Sequence, residues 1–408
     1  MSTILEKCNA INAEKQEKIV PDNIKKGVEI FGVVGNAESS NVKITDCRGL
    51  FQKNYRLDSI NAILPLCDTA TDATNMFFDS DTLTSLDLSL FDTSKVTIMQ
   101  TMFSDCSALV SLNLSSFNTS NVANMRGMFS GCVALTSLDL SSFNTTSVTD
   151  MSSMFSNTQA LTVLDLSSFD TTNVLTMSNM FYYCTALTSV NLSSFNTSNV
   201  TNMGSMFYGC AALTSLDLSP FDTTSVTNMY AMFNGCTALT SLDLTSFNTE
   251  NVDQIRYMFN GCTALVSLDL SSFNTTNITD MTNMFNGCTA LTSLDLSSFD
   301  AIKVANINKM FSNCTSLEHF EGLKNIGKGY SGSMSGNYKY TFDLQYSTKL
   351  TYESLISIIN NLYDLNLSYD VANGGKLYAQ NLQLGSTNLA KLTADEIAIA
   401  TNKGWRVS

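Results

Sequence analysis

NVANMRGMFSGCVALTSLDLSSFNTT, residues 121–146, holds one cysteine, a Leu-x-Leu run and almost no charge. The chain writes this phrase again and again. Met-Phe pairs fall at 76, 102, 128, 154, 180, 206, 232, 258, 284 and 310, counted at the methionine, and every interval is 26. Other columns align in the same phase: Leu109, Leu135, Leu161 and Leu187; Phe117, Phe143, Phe169 and Phe195; Val122, Val148, Val174 and Val200. In Ser137-Leu138-Asp139-Leu140-Ser141 polar and apolar residues alternate, which predicts a half-buried strand with its leucines on one face. Val122-x-x-Met125-x-x-Met128-Phe129-x-x-Cys132 has helical spacing, which predicts a short helical or 3₁₀ return.

One such unit is too small to offset its own ordering entropy, because both edges expose strand backbone and apolar rims. Stacked copies remove that cost. Parallel strands at about 4.8 Å would merge the Leu, Phe, Val, Met and Cys columns into one core.

The chain has 408 residues, 44% hydrophobic and 14% charged, with three prolines, which is the composition of a packed protein rather than a disordered one. Formal net charge is −14. The excess lies in residues 57–314, which carry 5 basic against 21 acidic side chains. A surface of that sign repels nucleic acid and anionic lipid, so neither partner is expected for the middle of the chain. No stretch approaches the roughly 18 uninterrupted apolar residues of a membrane span, so no insertion is expected. The opening MSTILEKCNAINAEKQEK reads as lacking a secretory signal.

The pattern Leu135-x-x-Leu138-x-Leu140-x-x-Phe143 resembles the start of a leucine-rich repeat, with Phe where that family has Asn or Cys. More closely, MFSGCVALTSLDLSSFNTTSVTDM resembles the BspA-like leucine-rich repeats of bacterial surface proteins and of phage, over about residues 44–320. The resemblance implies an α/β leucine-rich-repeat solenoid: about ten 26-residue repeats, parallel strands, short helical returns and a capping unit at each end. Three regions follow: an N-terminal attachment segment (1–40), the solenoid (41–320) and a C-terminal capping region (321–408).

Ile44-x-x-Cys47-x-x-Leu50-Phe51, followed by Leu57-x-x-Ile60, reads as a degenerate first repeat whose Lys53, Arg56 and Asp58 suit a water-facing cap. Before it, IVPDNIKKGVEIFGVVGN (19–36) resembles segments of tail and fibre proteins from phages of Gram-positive bacteria. Its glycines make no phosphate loop, since no Lys-Ser/Thr follows Gly32 or Gly35, and no cofactor is expected. Beyond 320 the period is lost. Gly329–Gly336 reads as a flexible link. Phe342-Asp343-Leu344 precedes a helix near 352–362, and Leu382-Gln383-Leu384 precedes one with a Thr393-x-x-Glu396 capping box that stops before Gly404. The closing LGSTNLAKLTADEIAIATNKGW resembles the ends of repeat proteins of phages and prophages.

Eight of the eleven cysteines (106, 132, 184, 210, 236, 262, 288, 314) share one column with Ser80 and Thr158. Parallel side chains in a stack lack disulfide geometry, and four ligands cannot converge on zinc from a straight column, so buried free thiols are expected. His319, the single histidine, reads as a surface residue rather than a triad member. Asp87, Asp139, Asp165, Asp217, Asp243, Asp269 and Asp295, with Asn113 and Asn191, form a column on the exposed strand face. A glycosidase pair needs two environments that split the carboxyl pKa values, and a uniform ladder offers one. Two uses stay open: a structural hydrogen-bond ladder, or a weak divalent-cation strip at Asp139, Asp165, Asp217, Asp243, Asp269 and Asp295.

Two before and two after the repeat methionine, most copies carry Ser, Asn, Thr or Gly. Tyr182, Tyr208 and Tyr230 break that rule in consecutive repeats, followed by Arg256, with Tyr183 and Tyr257 beside them. Stacked aromatics with small polar neighbours fit a sugar face or a protein contact; the alternative is tyrosines scattered on a surface. With the resemblances, these residues point to a non-enzymatic recognition protein on a phage tail, made in the host cytoplasm, binding a host cell-surface glycan or protein and held to other virion tail proteins by its N-terminal segment, with room for oligomers. The other setting is a bacterial cell-surface adhesin. Glycan hydrolysis is a minor third.

Overall fold

In the computed structural model, which describes residues 29–30, 33–34, 46–53, 64–329, 340–366 and 380–408, residues 26 apart are spatial neighbours. The chain forms two compact units. One runs to Leu161 and takes in Ser168–Asp170; the other holds Thr162–Ser167 and everything from Thr171.

The first unit opens with the antiparallel pair β1 (Glu29–Ile30) and β2 (Val33–Val34). Its repeats then stack in parallel: Asp46, Asp72, Ile98, Asn124 and Asp150 bridge in succession, and β3 (Ser85–Asp87) pairs with β4 (Ser111–Asn113), Ser85 against Ser111. In the second unit β5 (Val163–Asp165) pairs with β6 (Ser189–Asn191), and β7 (Ser293–Asp300) with β8 (His319–Lys324), again in parallel and one period apart. Each unit is therefore a parallel solenoid of 26-residue coils.

The leucine run keeps its alternation in every coil, burying Leu140 between exposed Asp139 and Ser141, but regular ladder pairing is confined to these three pairs among the described residues. The coils are held more tightly on their return side. Rings of the return phenylalanines lie 5.2 Å (Phe51–Phe77) to 5.9 Å (Phe129–Phe155) apart, whereas those of the column after the strand lie 6.1 Å (Phe91–Phe117) to 6.5 Å (Phe143–Phe169) apart.

The return is not helical, contrary to the expectation from its spacing. Thr101, Phe103 and Asp105 donate their N–H groups to Arg126, Met128 and Ser130 of the next coil at 2.8, 2.9 and 2.7 Å, while Met102 and Ser104 turn back three residues to Met99 and Thr101. A helix would send every N–H back along its own chain. The reversal comes from two left-handed residues four apart, one before and three after the methionine: Thr101 (φ 52°) and Asp105 (φ 60°) here, Gly127 (φ 60°) and Gly131 (φ 74°) one coil on. Such φ values end a right-handed helix and favour Gly, Asn and Asp, which fill most copies of the second position.

Val, Met, Phe and Cys of the return and Leu of the strand close a dry core, with Val122, Met125, Met128, Phe129 and Cys132 all fully buried. Two polar columns enter it with their bonds made. Cys106, Cys132, Cys210, Cys236, Cys262, Cys288 and Cys314 each donate their thiol to the Phe carbonyl of the preceding coil, Cys132 to Phe103 at 3.1 Å, and Ser80 makes the same bond to Phe51. All ten described cysteines are buried and outside any disulfide, the eight of the column as expected. The second column is the threonine of the Phe-Asn/Asp-Thr phrase, which reads as a turn in sequence. Thr223, 1% exposed, donates to Asn248 O and accepts from Asn248 N–H, both at 2.8 Å.

Both ends are capped. Asp46–Lys53 forms the degenerate first coil, stacking Phe51 on Phe77 at 5.2 Å and pairing Lys53 with Asp79 at 3.5 Å. At the other end β9 (Thr341–Asp343), α1 (Tyr352–Asn361), β10 (Asn381–Gln383), α2 (Gly385–Leu389), α3 (Ala394–Asn402) and β11 (Arg406–Val407) follow, the strands forming a parallel sheet in the order β11-β10-β9. Thr351 caps α1, the Thr393/Glu396 capping box starts α3, and Lys403 Nζ closes the end of α1 by donating to Ile359 O and Asn360 O. No described helix is long and apolar enough to cross a membrane. The attachment segment apart from β1 and β2, the residues Arg56, Leu57, Asp58 and Ile60, and the 330–336 part of the glycine-rich link lie outside the described residues.

Candidate functional site

Because the return presents the same positions coil after coil, a residue that breaks its column is also displaced from its neighbours in chemistry at a fixed place. The six residues singled out by sequence do so within the second unit. Tyr182 and Tyr208, both two after their methionine, stack with ring centroids 4.8 Å apart. Tyr183 packs edge-on against Tyr182 at 4.7 Å and 5.3 Å from Tyr208. Tyr230 meets Tyr257 edge-on at 5.8 Å and carries the Arg256 guanidinium over its ring at 5.5 Å, and Arg256 pairs with Asp280 at 3.6 Å. Burial raises the Tyr182 hydroxyl above its ordinary range and pushes Tyr208 up to about 12, with Tyr183, Tyr182 and Tyr230 adding to the shift. Scattered tyrosines would show no such network.

Tyr183 is exposed; Tyr182, Tyr208, Tyr230 and Tyr257 are half-buried, and Tyr182 and Tyr208 each give one face to the other. Two of the rings sit at left-handed positions, Tyr183 at φ 54° and Tyr257 at φ 61°, where a bulky side chain costs roughly 1–2 kcal/mol. The next coil makes room for the first: a Cβ on Gly209 would stand 2.9 Å from Tyr183 Cδ1. The sequence flagged these tyrosines as column-breakers; the strain was hidden because it depends on the turn geometry.

The aspartate column behaves differently. Asp139, Asp165, Asp217, Asp269 and Asp295 each accept the N–H of the serine two residues on, and Asp243 that of Thr245, at 2.8–3.0 Å. These bonds close a turn within one coil, with Asp165 also bonding Asn191 of the next coil, and Asn113 and Asn191 close their own turns at 3.1 Å. The donated N–H groups and the neighbouring hydroxyl hold Asp139, Asp165, Asp217, Asp243 and Asp269 below the usual carboxylate range. No three His, Cys, Asp or Glu side chains among the described residues converge on a point that could hold a metal ion. Two further corners are closed the same way in several coils, at Asn118 and Asn124 for example, whereas Ile98, Thr176 and Gln254 stand in the Asn124 column of other coils.

His319 is exposed on β8 and lines an open cavity of about 780 Å³ with Asp269, Asp295, Glu321 and Glu353, a concavity formed where α1 overhangs the strand face and not legible in the sequence. Among the described residues no hydrogen bond or ion pair joins its ring to a serine or carboxylate.

Solved structures similar to this chain include a leucine-rich cell surface protein of Faecalibacterium prausnitzii (18% identity, covering 63% of this chain and 81% of that one, TM-score 0.27) and a leucine-rich repeat protein of Eubacterium ventriosum (16%, 67% and 83%, TM-score 0.20). A complex of TLR13 with ssRNA13 matches at 15% identity over 81% of this chain and 56% of that one, TM-score 0.26. At such scores the statement that the chain is a repeat solenoid rests on its own coil geometry. No curated protein matches the sequence. Three overlapping stretches, 71–189, 158–265 and 240–328, match the family DUF285, described as a Mycoplasma protein of unknown function, and together they take in more than half of the chain. The chain therefore belongs to the DUF285 family.

Proposed function

We propose that the protein is a non-enzymatic recognition module of the bacterial cell-surface adhesin type, in which the coils are scaffold and the tyrosine cluster is the contact region. The observation that carries this reading is the pair of clusters itself: six residues break their columns over four successive coils and meet in two contact groups, Tyr182, Tyr183 and Tyr208 and then Tyr230, Arg256 and Tyr257, two of the six in strained backbone. Strained positions concentrate at functional sites, where surrounding contacts hold them. The cell-surface setting is supported by the BspA-like repeat phrase, which extends over most of the chain. A phage-tail setting has the two end segments, 19–36 and the closing run, in its favour; these are short. Purified full-length chain added to epithelial cells and to bacteria should bind saturably, and immunogold labelling should decorate cell walls. Labelled virions with bare cell walls would move the protein to the phage tail, and binding to neither surface would remove the recognition reading.

A further inference from the structure

Following the column two after the methionine through five coils of the second unit gives Tyr182, Tyr208, Asn234, Asn260, Asn286. The aromatic pair runs directly into an amide ladder: Asn260 Nδ2 donates to Asn234 Oδ1 at 3.1 Å and Asn286 Nδ2 to Asn260 Oδ1 at 3.0 Å. At about 4.8 Å per coil this track is about 19 Å long. Beside it, two before the methionine, stand Tyr230, Arg256 and Thr282. Buried polar atoms are nearly always hydrogen-bonded. Yet Arg256 Nε, Thr282 Oγ1 and Asn286 Oδ1, half of the six such atoms without a partner among the described residues, lie on this one face.

We infer that this track binds a neutral polysaccharide, hexose or N-acetylhexosamine units stacking on Tyr182, Tyr183 and Tyr208 and reaching the amide ladder with their hydroxyls. The inference rests on the recognition reading above and names its ligand class. A pyranose offers a flat face of C–H groups and a rim of hydroxyls that both donate and accept, which matches aromatic faces followed by amides. Charge decides against the alternatives. Arg256 is the only basic residue between Arg126 and Lys303, and its charge is already met by Asp280, so nothing on the face answers an acidic glycan. The same pairing occupies the carboxylate that a basic peptide would need. Tyr183 accepts a left-handed backbone to hold an exposed ring at the start of the track, where five other coils have glycine.

The test is affinity electrophoresis of the full chain through gels holding yeast mannan, a soluble β-glucan or chitosan-free chitin oligomers, with polygalacturonate and oligolysine as charged probes. A neutral polymer should retard the chain, and Tyr183→Gly and Tyr208→Ala should each weaken retardation at least tenfold while Tyr346→Ala, on the exposed surface of the C-terminal region, leaves it unchanged. Tyr183→Gly places the residue that suits its backbone, so it must not lower the melting temperature by more than a few degrees. Retardation by a charged probe alone, or retardation of both tyrosine variants equal to that of the unsubstituted chain, overturns the inference. Cell binding by the unsubstituted chain separates the two readings: if it persists with both variants, recognition stands and the track falls; if it is absent from the outset, the recognition reading fails.

Discussion

Replacing Thr223 by valine keeps the shape of the side chain and removes only its hydroxyl. That hydroxyl makes two bonds, one donated to Asn248 O and one accepted from Asn248 N–H, and the side chain is 1% exposed. Each intramolecular bond contributes about 1 kcal/mol net, and leaving a partner unsatisfied costs more, so the two together are worth about 2 kcal/mol. Thr223→Ser keeps both bonds and loses one methyl, about 0.8 kcal/mol. Valine should therefore destabilise the chain more than serine, although on hydrophobicity alone the order would reverse. Urea unfolding followed by far-ultraviolet circular dichroism reads the difference as a shift in midpoint at constant slope. A valine variant as stable as the serine variant, or more so, would show that water satisfies Asn248 and that the threonine column is not a bonding column.

Three further outcomes are expected. Because Asp217, Asp243 and Asp269 are held below the usual carboxylate range in the folded coil by the N–H and hydroxyl groups two residues on, their contribution is fully present above the unfolded value of about 3.9 and disappears as pH falls through the folded values. Acid unfolding should therefore steepen below about pH 4, and the triple Asp→Asn variant, which retains the turn-closing oxygen as Asn113 and Asn191 do, should flatten that limb in a pH series of melts; an unchanged limb refutes the assignment. Burial lifts the column thiols, Cys106 and Cys236 to about 12, so a thiol-specific chromophoric reagent at pH 8 should leave the ten described cysteines unreacted until denaturant is added, and fast native reaction of several would contradict the buried column. Gly261→Ala should cost about 1 kcal/mol, because φ is +72° but the nearest atom to an added Cβ is 3.7 Å away, whereas Gly322→Ala drives that carbon to 2.1 Å from Ser297 N and should prevent proper docking of β8; equal melting temperatures would refute the comparison.

The period, the core columns and both caps were legible because burial repeats strictly and capping depends on local residue types, as at Thr393 and Glu396. The return was misread for a physical reason. Apolar residues at Val122, Met125 and Met128 recur every three, which a 3₁₀ turn and a chain alternating between right- and left-handed residues satisfy equally. The deciding signal lay in Gly127 and Gly131, which together mark two left-handed positions four apart. Thr223 and its column looked like turn residues because a hydroxyl says nothing about whether its partner is water or the next coil. The aspartates looked like a ladder because 26-residue spacing aligns them, while their bonds run two residues along the chain.

These bonding patterns limit where recognition can reside. A coil such as that of Asn118, Asn124 and Asp139 closes its corners with its own Asp or Asn side chains, passes alternate return N–H groups to the next coil, and satisfies its threonine and cysteine inside the stack. The residues two either side of the methionine vary from coil to coil, although Ser104, Ser152, Ser156, Asn234 and Ser312 among them are buried. The cost is strain when the neighbouring left-handed position becomes tyrosine. Tyr183 and Tyr257 carry that strain in the coils that also hold Tyr182 and Arg256, while Gly209 in the following coil leaves room for the Tyr183 ring. A drift of neutral substitutions would not place a tolerated ring, a cleared neighbour and a lone paired arginine on one face. If ligand contact is what maintains them, substituting tyrosine at the equivalent position of a distant coil, Gly287→Tyr, should lower stability without adding binding, and a gain in binding there would show that the surface acts by aromatic content alone.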